Sequence, residues 1–274
     1  LGLEISGQDI PPIEFLLPAE LNGLNSTRIF LKIGKNTNIK VAQVIFGSKN
    51  SAQSHLMEMM IEENSKVEHG FIALGGGNGN LIANLSIEQK KKSNYSLISM
   101  HEGWFFSRFE PNIIQLEGKA KTALKGLQIA DEDHNLSTHS KVRFDGPEGE
   151  LDQLNKASAN KNSHSIFNGA IQVPKIAQKT QASQLSRNLI LSKRSQIDTK
   201  PELEIIADDV RCTHGATVSQ LQEEDLFYLR SRGIGSKQAY SLLLEGYYQE
   251  ILNELPLYSL RWNFLNSLLS KSSA

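Results

Sequence analysis

The sequence predicts an all-β body followed by a small α-helical module. Residues 1 to about 205 contain short runs rich in Val, Ile, Leu, Phe and Thr, such as RIFLKI, KVEHGFIAL and SIFNGAIQV. Gly, Asn or Ser separates most of these runs, which is typical of strands and turns. No long segment in this part keeps the apolar spacing of an amphipathic helix. The pattern changes after Ala216, so we expect a β body over residues 1–216 and a helical subdomain over residues 217–274.

The arrangement of the strands has two equally good solutions from the residues alone. Polar corners with Gly or Asn, as in RIFLKIGKNTNIKVAQVIFG, are suited to a parallel β-solenoid in which each coil pairs with the next. Asn-Gly, which favours antiparallel hairpins, also occurs at residues 22–23, 78–79 and 168–169. Because no fixed sequence period is visible, an irregular parallel β-helix and an antiparallel sandwich both remain open at this point.

The first predicted helix follows a capping box formed by Ser219 and Gln222. Its charges complement the helix dipole, and Gly233 provides a stop at the C-terminal end. The acidic residues of the predicted first turn and the basic residues of the predicted last turn are Glu223, Glu224, Asp225, Arg230 and Arg232.

A second helix is predicted from Ser236 to about Leu255, and a third after Pro256. The apolar stripe of the second helix is expected to contain Ala239, Leu242, Leu243, Tyr247 and Ile251. That of the third is expected to contain Leu257, Leu260, Phe264 and Leu268. A helical module of about 55 residues is too small to be comfortably stable alone, so it must dock on the body or on another protein.

Composition excludes several classes of function. With 29 basic and 30 acidic side chains the formal net charge is −1, which encodes no general attraction to nucleic acid or anionic lipid. One cysteine excludes an internal disulfide framework and is typical of a reducing compartment. No apolar run approaches the roughly 20 residues that cross a bilayer, so we expect a cytoplasmic protein, or a stromal one in a plastid-bearing organism.

Three other segments are interpreted as structural. LGGGNGN at residues 74–80 lacks the Lys-Ser/Thr of a phosphate loop and is expected to be a turn. DEDHNLSTHS at residues 131–140 lacks the Gly and Glu of a calcium loop and is expected to be a polar corner. Asp208 and Asp209, if on a strand, point to opposite faces and could not flank one glycosidic bond.

The candidate site is the single cysteine and a nearby histidine. Cys212 and His214 lie two residues apart, so on a strand they share a face and present a thiolate and an imidazole to a soft metal. An iron-sulfur cluster usually takes about four protein ligands, most of them thiolates. One thiolate cannot enclose such a cluster, so the remaining ligands would come from another chain, at a labile interfacial site.

Two segments resemble a known family. DTKPELEIIADDVRCTHGATVSQLQEEDLFYLRSRGI, residues 198–234, is similar to the signature of the SufB/SufD family, the scaffold proteins of SUF iron-sulfur assembly. FNGAIQVPKIAQKTQASQLSRNLILS, residues 167–192, resembles the block that precedes it. The Cys-x-His-Gly pattern is more similar to SufD members than to SufB members, which have further cysteines and a glutamate after the histidine.

The resemblance implies a right-handed parallel β-helix with a C-terminal helical subdomain, and a non-catalytic scaffold. It implies pairing with SufB through the C-terminal end of the β-helix, and docking of the ATPase SufC on the C-terminal helices. Cys212 and His214 would be interfacial ligands, with His214 the better candidate, for a transient cluster shared with SufB and not retained by this chain alone. SufC docking is assigned to the charged positions Glu223, Glu224, Asp225, Arg230 and Arg232.

Other possibilities stay open beside this expectation. Family members usually have a helical region of about a hundred residues before the β body, and almost none precedes IEFLLP here. Alternative functions are a mononuclear metal-binding protein that uses Cys212 and His214, and a β-helix enzyme acting on polysaccharide. The isolated chain could also pair with itself through the edge that would face SufB.

Overall fold

The computed structural model describes residues 1–19 and 22–256, and it contains two eight-stranded parallel sheets whose strands alternate along the chain. Sheet 1 consists of β1 (Gly2–Ile5), β3 (Leu24–Ile33), β5 (Ala52–Ile61), β7 (Asn80–Gln89), β9 (Phe106–Gln115), β11 (Asn135–Phe144), β13 (His164–Val173) and β15 (Gln196–Ile205). Sheet 2 consists of β2 (Ile13–Pro18), β4 (Asn38–Phe46), β6 (Lys66–Leu74), β8 (Asn94–Glu102), β10 (Lys121–Ala130), β12 (Glu150–Ala159), β14 (Gln181–Ile190) and β16 (Arg211–Ser219). Each strand pairs in parallel with the strand two places along, which makes a β-solenoid of about eight turns. The parallel β-helix is therefore confirmed, and the antiparallel sandwich is wrong.

The length of one coil varies, which explains why no sequence period was visible. Asn80 pairs with Phe106, a step of 26 residues, whereas His164 pairs with Gln196, a step of 32 residues. The corners between the sheets absorb the difference, because strand pairing fixes the register within each sheet.

The corners that lead into sheet 2 share a local sequence pattern. At six of the eight, a residue with positive φ stands two places before the strand: Asn36, Asn64, Lys92, Lys119, Glu148 and Lys179. At four of them the next residue is a buried hydroxyl residue, namely Thr37, Ser65, Ser93 or Thr180. The Ser65 hydroxyl, for example, donates to the Gly34 carbonyl oxygen (2.6 Å), which satisfies a backbone group that the corner leaves out of the sheet.

The predicted turn at residues 74–80 is confirmed, and its glycines have a packing role. A Cβ atom on Gly75 would lie 2.3 Å from the carbonyl carbon of Gly103 in the next coil. A Cβ on Gly47 would lie 2.8 Å from the buried Trp104 ring. Consecutive coils therefore touch backbone to backbone at this corner, which only glycine allows.

Two hydrophobic cores hold the molecule together. The main core fills the space between the two sheets. The second lies on the outer face of sheet 2, where it is covered by α2 (Ser236–Leu252). Its buried members are Val44, Ile72, Ile98, Met100, Leu127, Ile129, Tyr248 and Ile251. The helical module thus docks on the body, as its small size required.

The helices differ from the prediction in three details. Helix α1 spans Glu223–Ser231, and the capping box is wrong because Ser219 is still paired with Leu189 at the end of β16. Helix α2 begins at Ser236 as predicted but ends at Leu252. Leu242 is exposed rather than buried, since the helix packs through a face that includes Tyr248. The predicted third helix lies outside the described residues.

Two further observations concern the junction of body and module. Asp208 and Asp209 lie in the corner between β15 and β16 rather than on a strand, so the strand argument does not apply to them. Strand β16 continues to Ser219, past the expected boundary at residue 216.

Candidate functional site at the open end of the solenoid

Cys212 and His214 lie on β16, the last strand in the order of sheet 2. Cys212 is opposite Ala182 and His214 is opposite Gln184, both in β14. Ala182 belongs to the main core, and Gln184 is 1% exposed in the interior. Residues paired in register on neighbouring strands point to the same face of a sheet. Cys212 and His214 therefore extend two interior-facing rows of side chains, each made of residues paired from strand to strand, at the open end of the solenoid.

The two side chains differ in their surroundings. Cys212 is half-buried and packs against the main core beside Leu203 and Val210. Burial raises the pKa of the Cys212 thiol, and a hydrogen bond with the Ala182 backbone only partly opposes this shift. His214 is exposed. The imidazole is therefore accessible as it stands, whereas the cysteine needs a metal or a base to become a thiolate.

The open end also exposes apolar side chains that sequence reasoning missed. Ile206, directly after β15, is 59% exposed, and Val218 on β16 is 44% exposed. These residues stand beside the outer edges of the last strands of both sheets, and unpaired edges attract further strands. Pro201 lies within β15, where it lacks an N–H for any neighbour. Apolar and polar residues alternate along DTKPELEI, and this alternation was the available sequence signal for a row of apolar side chains at this end.

Helix α1 confirms its predicted charge pattern but also presents aromatic residues. Glu223, Glu224 and Asp225 form its first turn, and Arg230 is in its last turn, with Arg232 immediately after it as the C-cap. No residue of α1 is buried within the described part of the chain. Two large side chains are exposed here, Phe227 at 70% and Tyr228 at 57%. Exposed aromatics beside charges are typical of protein-binding surfaces, and the apolar letters in EEDLFYLRS were the available signal.

Helix α2 is hydrogen-bonded to β12 and β14, the two strands that precede β16 in sheet 2. The Lys156 side chain of β12, 2% exposed, donates to the Tyr247 carbonyl oxygen (2.6 Å) and pairs with Glu250 (2.6 Å). Its ammonium lies 3.8 Å from the centre of the Tyr247 ring. The Tyr247 hydroxyl donates to the Arg187 carbonyl oxygen (2.5 Å) in β14. The helical module is thus hydrogen-bonded to β14, the strand that pairs with β16.

The polar segments set aside earlier remain outside any site. The polar corner predicted at residues 131–140 is confirmed only for residues 131–134, which form a turn, because β11 begins at Asn135 and contains His139. Among residues 1–19 and 22–256, no three His, Cys, Asp or Glu side chains are grouped closely enough to hold a metal ion. Within the same part of the chain, neither helix has the length and apolar character needed to cross a membrane.

A groove of about 610 Å³ lies on the outer face of sheet 2. Its charged lining residues are Lys66, Lys121, Glu150, Asp152 and Arg211. Glu150 is paired with Lys121 (2.9 Å), so a lysine ammonium already occupies one of the two carboxylates of the groove.

Comparison with known proteins places this chain in a family. A family model described as "SUF system FeS cluster assembly, SufBD core domain" matches residues 16–247. The chain is 40% identical over 204 residues to the iron-sulfur cluster assembly SufBD family protein slr0076 of Synechocystis, covering 74% of this chain and 45% of that protein. It is 29% identical over 242 residues to the chloroplastic protein ABCI7 of Arabidopsis thaliana, covering 87% and 51%. To SufD of Escherichia coli it is 42% identical over 103 residues, covering 38% and 24%.

The chain spans about half the length of its Synechocystis and Arabidopsis relatives and less of the E. coli protein. The match nevertheless covers nearly all of the solenoid, β16 included. The chain belongs to the SufBD core family of the SUF iron-sulfur cluster assembly system and is similar to SufD.

Proposed function

We propose that this chain is a SufD-like, non-catalytic scaffold subunit on which an iron-sulfur cluster is assembled as cargo and then released. The observation that carries the proposal is the position of Cys212 and His214 together on the last strand of an open solenoid end. A ligand pair there is within reach of a second chain without unfolding the first.

The number of ligands requires that second chain. Cys212 is the only cysteine, and a cluster usually takes about four ligands. With His214 the chain supplies two, so a SufB partner completes the set at the interface. His214 is the stronger contributor because it is exposed, whereas burial keeps Cys212 protonated.

The open end supports pairing with SufB by strand addition. Strands β15 and β16 each have one edge that no other described strand pairs with at this end of their sheets. A partner that continues both sheets would satisfy these edges and cover Ile206 and Val218. A second copy of this chain could use the same surface when SufB is absent.

The ATPase SufC would dock on the helical module. Helix α1 offers Phe227 and Tyr228 as anchors, together with the acidic residues Glu223, Glu224 and Asp225 and the basic residues Arg230 and Arg232. ATP hydrolysis then belongs to SufC. Helix α2 is hydrogen-bonded to β12 and β14. Movement of the docked module would therefore exert force on the strands beside the site. The expected location is the cytoplasm or a plastid stroma, and the name of the chloroplastic relative favours a plastid.

The test is co-expression with SufB and SufC, followed by mass measurement of the complex and determination of its iron and sulfide. His214→Ala is expected to leave the complex intact and to lose most of the iron and sulfide. Thr213→Ala, at the exposed neighbouring position on the opposite face of β16, is the control and should keep both. Normal iron and sulfide in His214→Ala would contradict the ligand role.

The alternatives give different outcomes in the same experiment. A mononuclear carrier would bind one zinc or iron ion without SufB and lose it in His214→Ala. A polysaccharide enzyme would depend on the groove carboxylates, so an effect of Asp152→Asn on glycan cleavage would favour it.

A further inference from the structure

A ladder of buried polar side chains runs through the solenoid interior toward His214. The Gln153 side-chain nitrogen (Nε2) donates to the Ser140 hydroxyl oxygen (2.7 Å). One coil further on, Gln184 Nε2 donates to Gln153 Oε1 (2.8 Å). All three residues are at most 4% exposed. The Gln184 bond runs along the solenoid axis toward the N-terminal end, whereas the Gln153 bond crosses the interior to sheet 1. Gln184 Oε1 is therefore the last acceptor of the ladder on the side of β16.

The surroundings of Gln184 hold its amide in place. Gly169 of sheet 1 faces it, and a Cβ atom on Gly169 would lie 2.2 Å from Gln184 Nε2. The same Cβ would lie 2.8 Å from the Phe167 ring. The interior thus gives Gln184 a defined slot that a larger residue at position 169 would fill.

Gln184 Oε1 is buried and has no hydrogen-bond partner among residues 1–19 and 22–256. A buried acceptor without a donor is unfavourable, so such groups usually have a partner in the working assembly. The next residue in the same row is His214, directly paired with Gln184 at the spacing of neighbouring strands, about 4.8 Å. An imidazole N–H is the donor that this row can supply.

We propose that Gln184 is a positioning residue for His214. Its Oε1 accepts the N–H of the ring nitrogen that faces the interior, which fixes the tautomer and leaves the other ring nitrogen free toward the open end. Histidine ligands usually donate their second ring nitrogen to an acceptor of this kind, which orients the ring and increases its basicity. This inference rests on the proposed role of His214 as a ligand.

The direct test is the tautomer of His214 in the full chain, without partners or cluster, from the nitrogen chemical shifts of ¹⁵N-labelled histidine at a pH where the ring is neutral. We expect one dominant tautomer in the unmodified chain and a mixture of both in Gln184→Leu and Gln184→Met. Gln184→Glu keeps an acceptor at the same place and should restore the single tautomer. Gln128→Leu removes another interior amide with no partner in the described chain and should change nothing.

Two results would overturn the proposal. One is the same tautomer mixture in the unmodified chain and in Gln184→Leu or Gln184→Met, whichever of these folds. The other is a single tautomer whose proton sits on the nitrogen turned away from Gln184, as judged from nuclear Overhauser contacts.

A second readout separates this inference from the proposed function. In the complex with SufB and SufC, Gln184→Leu is expected to lower bound iron by about tenfold while the complex stays intact. If the tautomer responds but His214→Ala keeps its iron, the positioning is correct and the ligand role is wrong. If the tautomer does not respond but His214→Ala loses iron, the ligand role stands and the positioning is wrong.

Discussion

Replacing Glu102 with glutamine should make the protein more stable at high pH. Glu102 ends β8, where its neighbours in the sheet are Leu74 and Ile129 of the second core beneath α2. Burial, together with the nearby charge of Asp131, raises the pKa of this carboxyl from its usual 4.5 to about 7. The folded chain therefore binds the proton more tightly than the unfolded chain does.

The sign and size of the effect follow from this difference. Because the folded-state pKa is raised, the favourable contribution of Glu102 is present below about pH 4.5 and is lost as pH rises through about 7. At about 1.4 kcal/mol for each pH unit between the two pKa values, ionised Glu102 costs up to about 3 kcal/mol. Glutamine keeps the shape and cannot ionise. Glu102→Gln should thus exceed the unmodified chain by less than about 1 kcal/mol near pH 5 and by up to about 3 kcal/mol near pH 9.

Urea unfolding followed by circular dichroism, from pH 5 to pH 9, measures the difference at each pH. Glu224→Gln, at an exposed position on α1, is the control and should give a difference that does not depend on pH. Titration of all other groups is common to both chains and cancels. If the difference between Glu102→Gln and the unmodified chain is the same at both ends of the range, the assigned burial of the carboxyl is wrong.

Three further predictions concern the corner glycines, the α2 anchor and the docking helix. Gly75→Ala should lower the free energy of unfolding by about 1–3 kcal/mol or more, because its Cβ would meet the backbone of Gly103. Gly246→Ala, which has open space around it on α2, should raise the free energy of unfolding by about 1 kcal/mol. Urea midpoints distinguish the two variants. Lys156→Ala should destabilise by about 1–3 kcal/mol, since it leaves the Tyr247 carbonyl without its donor and removes one of the two cations paired with Glu250. Lys200→Ala on the exposed surface should cost less than about 1 kcal/mol in the same assay, and equal effects would show that Lys156 does not anchor α2. Glu223→Lys with Glu224→Lys, and separately Phe227→Ser, should weaken co-purification of SufC without changing the mass of the chain alone, and unchanged co-purification would mean that SufC docks elsewhere.

Strands in which apolar residues dominate were predicted from the sequence, whereas strands with polar residues on both faces were missed. KVEHGFIAL coincides with β6, where apolar residues dominate the run. In β12 and β14 polar side chains such as Gln153 and Gln184 point inward, so the sequences ELDQLNKASA and QASQLSRNLI show no alternation to detect. Polar interiors of this kind depend on partners from the next coil, which local patterns do not reveal.

The coil period was present in the sequence, but at the corners rather than in the strands. Buried hydroxyl residues at Thr37, Ser65, Ser93 and Thr180, each after a residue with positive φ, mark the entry to four of the eight strands of sheet 2. Asn and Lys at the positive-φ positions hid this regularity, because Asn favours such a conformation and Lys does not.

The candidate site was more accessible to sequence reasoning than its supports. The two-residue alternation of a strand was enough to place Cys212 and His214 on one face. The contact of Lys156 with Tyr247 joins residues 91 positions apart, and the Gln184 row depends on registers between coils. Neither has a local signature, since the unequal coil lengths decide which residues meet.

Within residues 1–19 and 22–256, strand β16 has a single hydrogen-bonding neighbour, whereas the interior strands of each sheet have two. Segments with the fewest backbone bonds open with the smallest free energy, so amide protons of β16 should exchange with solvent faster than those of β14. Under the proposed function, Cys212 and His214 lie on the segment that opens first, so release of a cluster would need only fraying of one strand while the remaining coils stay folded.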